Sequence, residues 1–447
     1  MIAAQDFASL REVMQDLDPP DAADIVMDLP AEDKAVIFRI LPRVQAAHVF
    51  EYLPLEEQEN LLRAMSEKQA ADILNCMSPD DRTALLEELP AQATRRMLEL
   101  LSPEELETAK KLLGYPEESV GRRMTPNYVA VQPNWTLQQV LDHIRAYGRR
   151  SETLNVIYVV DSSGTLLDDI TIGKILMAPL DSKVEALMGS TVRALMATDD
   201  QETAIAAFKK YDRSALPVTD SEGMLVGIIT GDDVLDVATN EATEDIQKIG
   251  GMEALDEPYM TTPFQRMIKK RATWLVVLFL GEMLTATAMA FFEDELKKAV
   301  VLMLFVPLII SSGGNSGSQA STLVIRALSL GEIRLRDWWR VMKREILSGL
   351  ALGSLLGAIG FARIAVWSTF STIYGPHWLL VAITIFFTLI GVVLWGTLSG
   401  SMLPLVLRRV GLDPAVSSAP FVATMVDVTG LVIYFSVALV ILHGTLL

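Results

Sequence analysis

The sequence predicts a multi-domain membrane protein with an α-superhelical N-domain, a tandem α/β module and a five-helix transmembrane domain. Three observations carry this expectation. A turn signal returns about every 12 residues through the first hundred positions, a strand-and-helix stretch repeats at an offset of 59, and five long apolar segments follow residue 272. The composition agrees, because 51% hydrophobic residues and a mean hydropathy of +0.32 are high for a soluble chain of 447 residues.

Charge separates the parts. The net charge is −18, but residues 1–260 hold 23 Lys and Arg against 47 Asp and Glu, a net of −24, whereas residues 261–447 net +6. Such acidity repels nucleic-acid phosphate and suggests affinity for cations. The single cysteine, Cys76, excludes an intramolecular disulfide. The N-terminus MIAAQDFASLREV lacks a basic and then apolar leader, so the acidic part is expected to stay in the cytosol.

Residues 1–116 form the first expected domain. Leu29–Pro30, Leu53–Pro54, Ser78–Pro79 and Ser102–Pro103 recur at about 24 positions, with Leu41–Pro42 and Leu89–Pro90 halfway. Pro fits the first turn of a helix, and the intervening stretches carry apolar residues at helical spacing. The expectation is a compact superhelix of short helices, each burying its neighbour's apolar face.

Residues 117–245 change period. VIYVVDSSGTLLDDITIGKIL and ALPVTDSEGMLVGIITGDDVL match, pairing Asp161 with Asp220, Gly164 with Gly223 and Thr171 with Thr230. Each reads as strand, turn, strand and helix, preceded by an amphipathic helix. The duplication resembles a tandem pair of CBS domains, modules that commonly sense adenine nucleotides or ions. In that family a Thr or Ser followed three residues later by Asp clasps a ribose. Thr230 and Asp233 match this pattern, whereas Thr171 is followed by Lys174. The resemblance therefore implies ATP or another adenine nucleotide at Thr230 and Asp233, and a helix N-cap at Thr230 explains the pair equally well.

Residues 246–271 read as a connecting helix with a Pro break, ending in Lys269, Lys270 and Arg271. Five spans follow, at about 274–292, 299–325, 346–367, 378–407 and 419–442. The loops after the second and fourth carry most of the Arg and Lys and belong in the cytosol. The EDELKK and STFSTIYGPH loops lack that excess. The N-terminus is then cytosolic and the C-terminus external, in a multi-pass protein of the cell inner (plasma) membrane.

The second span contains PLIISSGGNSGSQASTL. Gly313, Gly314 and Gly317 in hydrocarbon weaken a helix, so irregular backbone lining a water-filled cavity is expected, with Gly313, Gly314, Asn315 and Gly317 along the pore. Small-residue helix packing is the alternative, although the amides of Asn315 and Gln319 exceed what packing needs. No GxxxxGK[ST] pattern is present. The fifth span holds one charge, Asp427, which needs a wet interior and a cation. Glu282 in the first span is a rival candidate. Oxygen ligands without clustered His or Cys suit Mg²⁺, Ca²⁺ or Mn²⁺. The four scattered His residues and the lack of a nucleophile constellation argue against an enzyme.

Taken together, PLIISSGGNSGSQASTLVIRAL, the DWWRVMKRE loop, LRRVGLDPAV and ATMVDVTGLVIYFSVA resemble the MgtE family of magnesium channels and transporters. The resemblance runs over the whole chain. It implies Mg²⁺ uptake gated by intracellular Mg²⁺, a homodimer in the lipid bilayer, a pore along the dimer axis lined by the second and fifth spans, and a plug helix that closes it. It implies that Asp427 binds the pore ion and that Asp413 lies near the cytosolic mouth. It also makes Asp233, Asp236, Glu241, Glu244 and Asp245 ligands of sensing Mg²⁺. Transport of another divalent cation, Mn²⁺ or Co²⁺, or of an anion, is the alternative; an intramembrane Asp speaks against the anion.

Overall fold

The computed structural model describes residues 6–189, 192–255, 259–260, 262–294 and 299–446. Several sequence expectations touch residues outside that set: the leader reading at residues 1–5, residues 190–191 of the duplicated module, residues 256–258 and 261 of the expected connecting helix, and residues 295–298 of the loop between the first two spans. The chain divides into two compact units, Met1–Thr239 and Asn240–Leu447.

The first unit opens with nine short helices: α1 (Phe7–Asp16), α2 (Pro19–Met27), α3 (Ala31–Ile40), α4 (Arg43–Glu51), α5 (Leu55–Ala64), α6 (Glu67–Leu74), α7 (Pro79–Glu88), α8 (Ala91–Glu99) and α9 (Pro103–Leu113). The punctuation is the expected one and splits into two types. Pro30, Pro42, Pro54 and Pro90 stand just before the helix, where extended ψ suits them, whereas the Ser–Pro pairs put Pro79 and Pro103 inside the first turn. At none of these positions does the ring remove a helical hydrogen bond. One continuous apolar core runs under the array from Leu10 to Ala109 through Phe50 and Leu74.

A short helix α10 (Val120–Arg123) leads into the duplicated module. Its halves are β1 (Ala130–Val131), α11 (Leu137–Tyr147), β2 (Val156–Val160), β3 (Leu166–Thr171) and α12 (Ile172–Met177), then β4 (Leu195–Met196), α13 (Gln201–Tyr211), β5 (Ala215–Thr219), β6 (Leu225–Thr230) and α14 (Gly231–Ile249). Each half forms a three-stranded sheet with a parallel first pair and an antiparallel second pair. Asp161 and Asp220 shape the two hairpin turns, each accepting backbone N–H bonds near 2.9 Å from two and four residues on. Gly164 and Gly223 then take φ of +90° and +82°, which a side chain would strain. The halves differ at their ends, since α12 has 6 residues and α14 has 19.

This length corrects the expected connecting helix at 246–271. The helix begins at Gly231 and stops at Ile249, where Gly250 and Gly251 (φ +74°) break it, and the next begins only at Phe264. The domain division falls inside α14, not after residue 245.

Among the described residues, the second unit carries five helices long and apolar enough to cross a membrane: α15 (Phe264–Phe291), α16 (Val306–Ser329), α17 (Trp338–Ser368), α18 (Trp378–Arg409) and α19 (Ala419–Leu442). α17 lies tightly on α18 through Gly349, Gly353 and Gly357, whose added Cβ atoms would meet the backbone of Leu394, Ile390 and Phe386 at 2.8–2.9 Å. α15 is peripheral, with Thr285 as its one buried described residue.

Candidate functional site

The expected irregular backbone at 307–323 is absent: α16 is a continuous helix through all of it. The helix survives because its glycines face protein. A Cβ at Gly313 would strike Val392, one at Gly317 would lie 2.8 Å from Val422, and one at Gly400 would run into the Gly317 carbonyl oxygen. Gly313 and Gly317 are therefore packing residues between α16, α18 and α19, which corrects their expected place along the pore. Close backbone approach between helices substitutes for the side chains they lack.

The opposite face of α16 is different. Ser311, Asn315, Gln319 and Thr322 are exposed at helical spacing, and the Asn315 amide donates to Ser311 Oγ at 3.3 Å. A polar stripe at membrane depth is costly against lipid, so this face requires water or protein. Gly314 sits at its edge, where an added Cβ would lie 3.6 Å from Asp427 Oδ1 and 3.4 Å from Ala423 Cβ. Asp427, on the third turn of α19, is half-buried. From α15, Glu282 brings a second carboxylate within electrostatic reach, since α15 approaches α19 closely at Gly281, where an added Cβ would lie 2.9 Å from Thr424. Below this level, Ser318 and Ser321 donate to the carbonyls of Ala419 and Ser417 at 3.0 and 2.8 Å, pinning α16 to the start of α19.

Elsewhere in the same unit, three carboxylates gather about one ammonium. Lys248 Nζ lies 2.6 Å from Asp413 Oδ2 and also pairs with Glu244. Asp413 Oδ1 accepts from Ala415 N at 2.8 Å, and Asp245 accepts from Ser329 Oγ at 3.0 Å. Burial and then the charge of Asp413 push the Asp245 carboxyl up, while its bond from Ser329 opposes them. The carboxylates hold the Lys248 ammonium charged, against the cost of its burial. Glu241 is half-buried on the same helix.

The first unit contains an acidic cluster that the sequence did not reveal. Asp232, Asp233 and Asp236 at the start of α14 meet Glu51 at the end of α4, Asp80 and Asp81 in the first turn of α7, and Glu152. Ser78 organises it, its N–H donating to Glu51 at 2.7 Å and its hydroxyl to Asp81 at 2.7 Å. Thr230 Oγ lies 2.6 Å from Asp233 and beside Asp232. No Lys or Arg forms an ion pair with these seven carboxylates among the described residues.

Crowding of like charge has the expected cost. Burial, then Asp81 and Glu152, push Glu51 up to about 8. Asp80 is 7% exposed with Oδ1 unpartnered, and burial followed by the charge of Asp233 raises it well above the carboxylate range. Burial also raises Asp233. Among the described residues no three acids or other ligating side chains close to direct metal-ligand geometry. Carboxylates that share a site without closing to direct-ligand geometry suit an ion that keeps its water shell, as Mg²⁺ does. Nothing in the sequence joins Glu51 or Asp80 to Asp233 across more than 150 positions; an excess of acid at helix ends was the only signal.

Comparison with known proteins adds an independent line. Residues 306–437 match the MgtE family model, described as a divalent cation transporter; residues 4–118 match the MgtE intracellular N domain, and residues 118–181 and 184–240 match CBS domains. The magnesium transporter MgtE of Thermus thermophilus is 39% identical over 350 residues, 78% of this chain and 76% of that protein. Its namesake in Bacillus subtilis is 30% identical over 347 residues, 78% and 75% of the two chains. A crystal structure of the cytosolic domain of the Mg²⁺ channel MgtE in complex with ATP superposes with TM-score 0.50 at 34% identity, covering 53% of this chain and 96% of that one. The soluble part of a magnesium transporter gives 0.52 at 28% identity, covering 54% and 94%.

Proposed function

Since the chain belongs to the MgtE family of divalent cation transporters, we propose that it carries Mg²⁺ into the cell and that cytosolic Mg²⁺ closes the path. The carrying observation is the placement of Asp427 beside Gly314, at the edge of the exposed polar stripe of α16. Two copies related by a twofold axis would bring two such stripes together and enclose water, with one Asp427 from each; the homodimer explains why a polar face is left open. Asn315 then lines the path, with Gly314 at its edge, packed toward Ala423 and Asp427. Hydrated Mg²⁺ passes between oxygen-bearing walls, and a divalent ion gains about 4.6 kcal/mol per 100 mV, so no hydrolysis is needed. The N-terminus and the Arg- and Lys-bearing loops lie in the cytosol and the C-terminus outside.

The cluster of Glu51, Asp80, Asp81, Glu152, Asp232, Asp233 and Asp236 is the sensor in this reading. Without a divalent ion its members repel or hold protons; with one they draw together. α14 runs unbroken from Asp232 to Lys248, so the same helix that bears the sensor acids bears Glu241, Glu244 and Asp245. Adenine nucleotide at Thr230 and Asp233 tunes the switch: nucleotide and hydrated ion compete for Asp233. Flux into liposomes containing the purified chain, with Mg²⁺, Mn²⁺, Co²⁺ and Ca²⁺ offered in turn, tests the reading. Preference for Mg²⁺ that disappears in Asp427→Ala supports it, and equal flux in that variant overturns it.

A further inference from the structure

Beside the start of the first membrane helix lies a cavity of about 680 Å³ that neither the ion path nor the acidic clusters use. Three walls enclose it. α14 contributes Asn240, Thr243 and Gln247, one uncharged polar stripe; none of that helix's carboxylates lines the space. The segment after Gly250 supplies an apolar floor of Met252, Leu255 and Tyr259. α15 contributes Met267, Arg271 and Leu275, spaced four apart on one face.

The chemistry of the walls is that of an amphiphile site. Arg271 is exposed and forms no ion pair among the described residues. It stands where the polar first turns of α15 give way to the apolar run that begins at Ala272. One turn further, Leu275 carries the wall into that apolar run, so the cavity spans the boundary between head groups and acyl chains. A soluble anion would find charge but would leave the apolar floor wet; a neutral apolar ligand would leave Arg271 unused. Its volume lies within the usual range for small-ligand sites.

We propose that this cavity binds one anionic phospholipid of the adjacent leaflet, its phosphate on Arg271 and its glycerol and upper acyl carbons on the floor. The assignment rests on the reading above only for placing this end of α15 at the cytosolic face, where anionic lipid is concentrated. The bound lipid braces the last turn of α14. Gly251, which closes that turn, already packs on the first turn of α19, an added Cβ falling 3.0 Å from Pro420. Lipid in the cavity therefore fixes the segment beside the Lys248–Asp413 contact.

The test is native mass spectrometry of the full chain released from nanodiscs of phosphatidylcholine with or without phosphatidylglycerol. The wild type is expected to retain phosphatidylglycerol, with retention falling roughly fivefold in Arg271→Gln and restored in Arg271→Lys. Lys269→Gln removes the same charge outside the cavity and is expected to retain lipid as the wild type does. Equal retention in wild type and Arg271→Gln overturns the site, and so does an equal fall in Arg271→Gln and Lys269→Gln, which would indicate surface charge alone. Absence of Mg²⁺ flux in all of these proteins would count against the transport reading and leave lipid retention to be judged on its own.

Discussion

Lys248 Nζ lies 2.6 Å from Asp413 Oδ2, joining the last turns of α14 to the loop that precedes α19. The contact sets a basic side chain where a cluster of Glu244, Asp245 and Asp413 would otherwise need a metal ion. Both partners are partly exposed, so the pair itself contributes at most about 1 kcal/mol. Lys248→Gln leaves three carboxylates uncompensated. The expected outcome is a contact that depends more steeply on Mg²⁺, so that closing flux in liposomes takes up to about fivefold more of the ion than in the wild type.

Asp427 makes no ion pair among the described residues, so its removal costs the fold little. Asp427→Asn is expected to abolish Mg²⁺ flux while the thermal unfolding midpoint in detergent stays within a few degrees or rises, since a carboxylate in a membrane is itself costly. Glu282→Gln, on the exposed face of α15, is expected to reduce flux less. Isotope uptake together with a melting curve distinguishes loss of the path from loss of the protein.

The seam between α16 and α18 admits no side chain at Gly400, where a Cβ would meet the Gly317 carbonyl. Gly400→Ala is expected to lower stability by roughly 1–3 kcal/mol through forced separation of the two helices. A drop in the melting midpoint checks this; an unchanged midpoint would show that the seam yields without cost.

The acidic cluster makes the first unit sensitive to pH. Burial raises Glu51 from 4.5 to about 8, so between those values the folded form holds a proton that the unfolded chain has lost. Its contribution to stability is present below about pH 4.5 and is lost as pH rises through about 8. In chelator the cytosolic part is expected to be cleaved faster by protease at about pH 8.5 than at about pH 6. Added Mg²⁺ should protect more at the higher pH, because protons compete with the ion for the same oxygens. A slope of the opposite sign would mean that the cluster is ionised and held by some other cation.

Much of the fold is legible in the sequence because it is written in local periods. The proline punctuation at Pro30, Pro54, Pro79 and Pro103 marks helix starts whatever surrounds them, and the Asp161 and Asp220 turns recur with their glycines because the hairpin geometry demands it. The apolar lengths fixed five spans, and the lone acid of the last one was visible for its cost in lipid. The connecting segment departs from the expected single helix because the strong break is the Gly250–Gly251 pair, whereas Pro263 merely precedes α15, where it suits a helix start.

Tertiary structure alone decided which face of a residue is used. Gly313, Gly317 and Asn315 lie within one helical turn or so, and composition could not tell packing from lining; the approach of α18 and α19 buries the glycines and leaves the amide open. Only folding could bring Glu51 and Asp80 to Asp233, or Lys248 to Asp413, because like charge and ion pairing act through distance in space, and no local pattern in the sequence records a separation that the packed helices set.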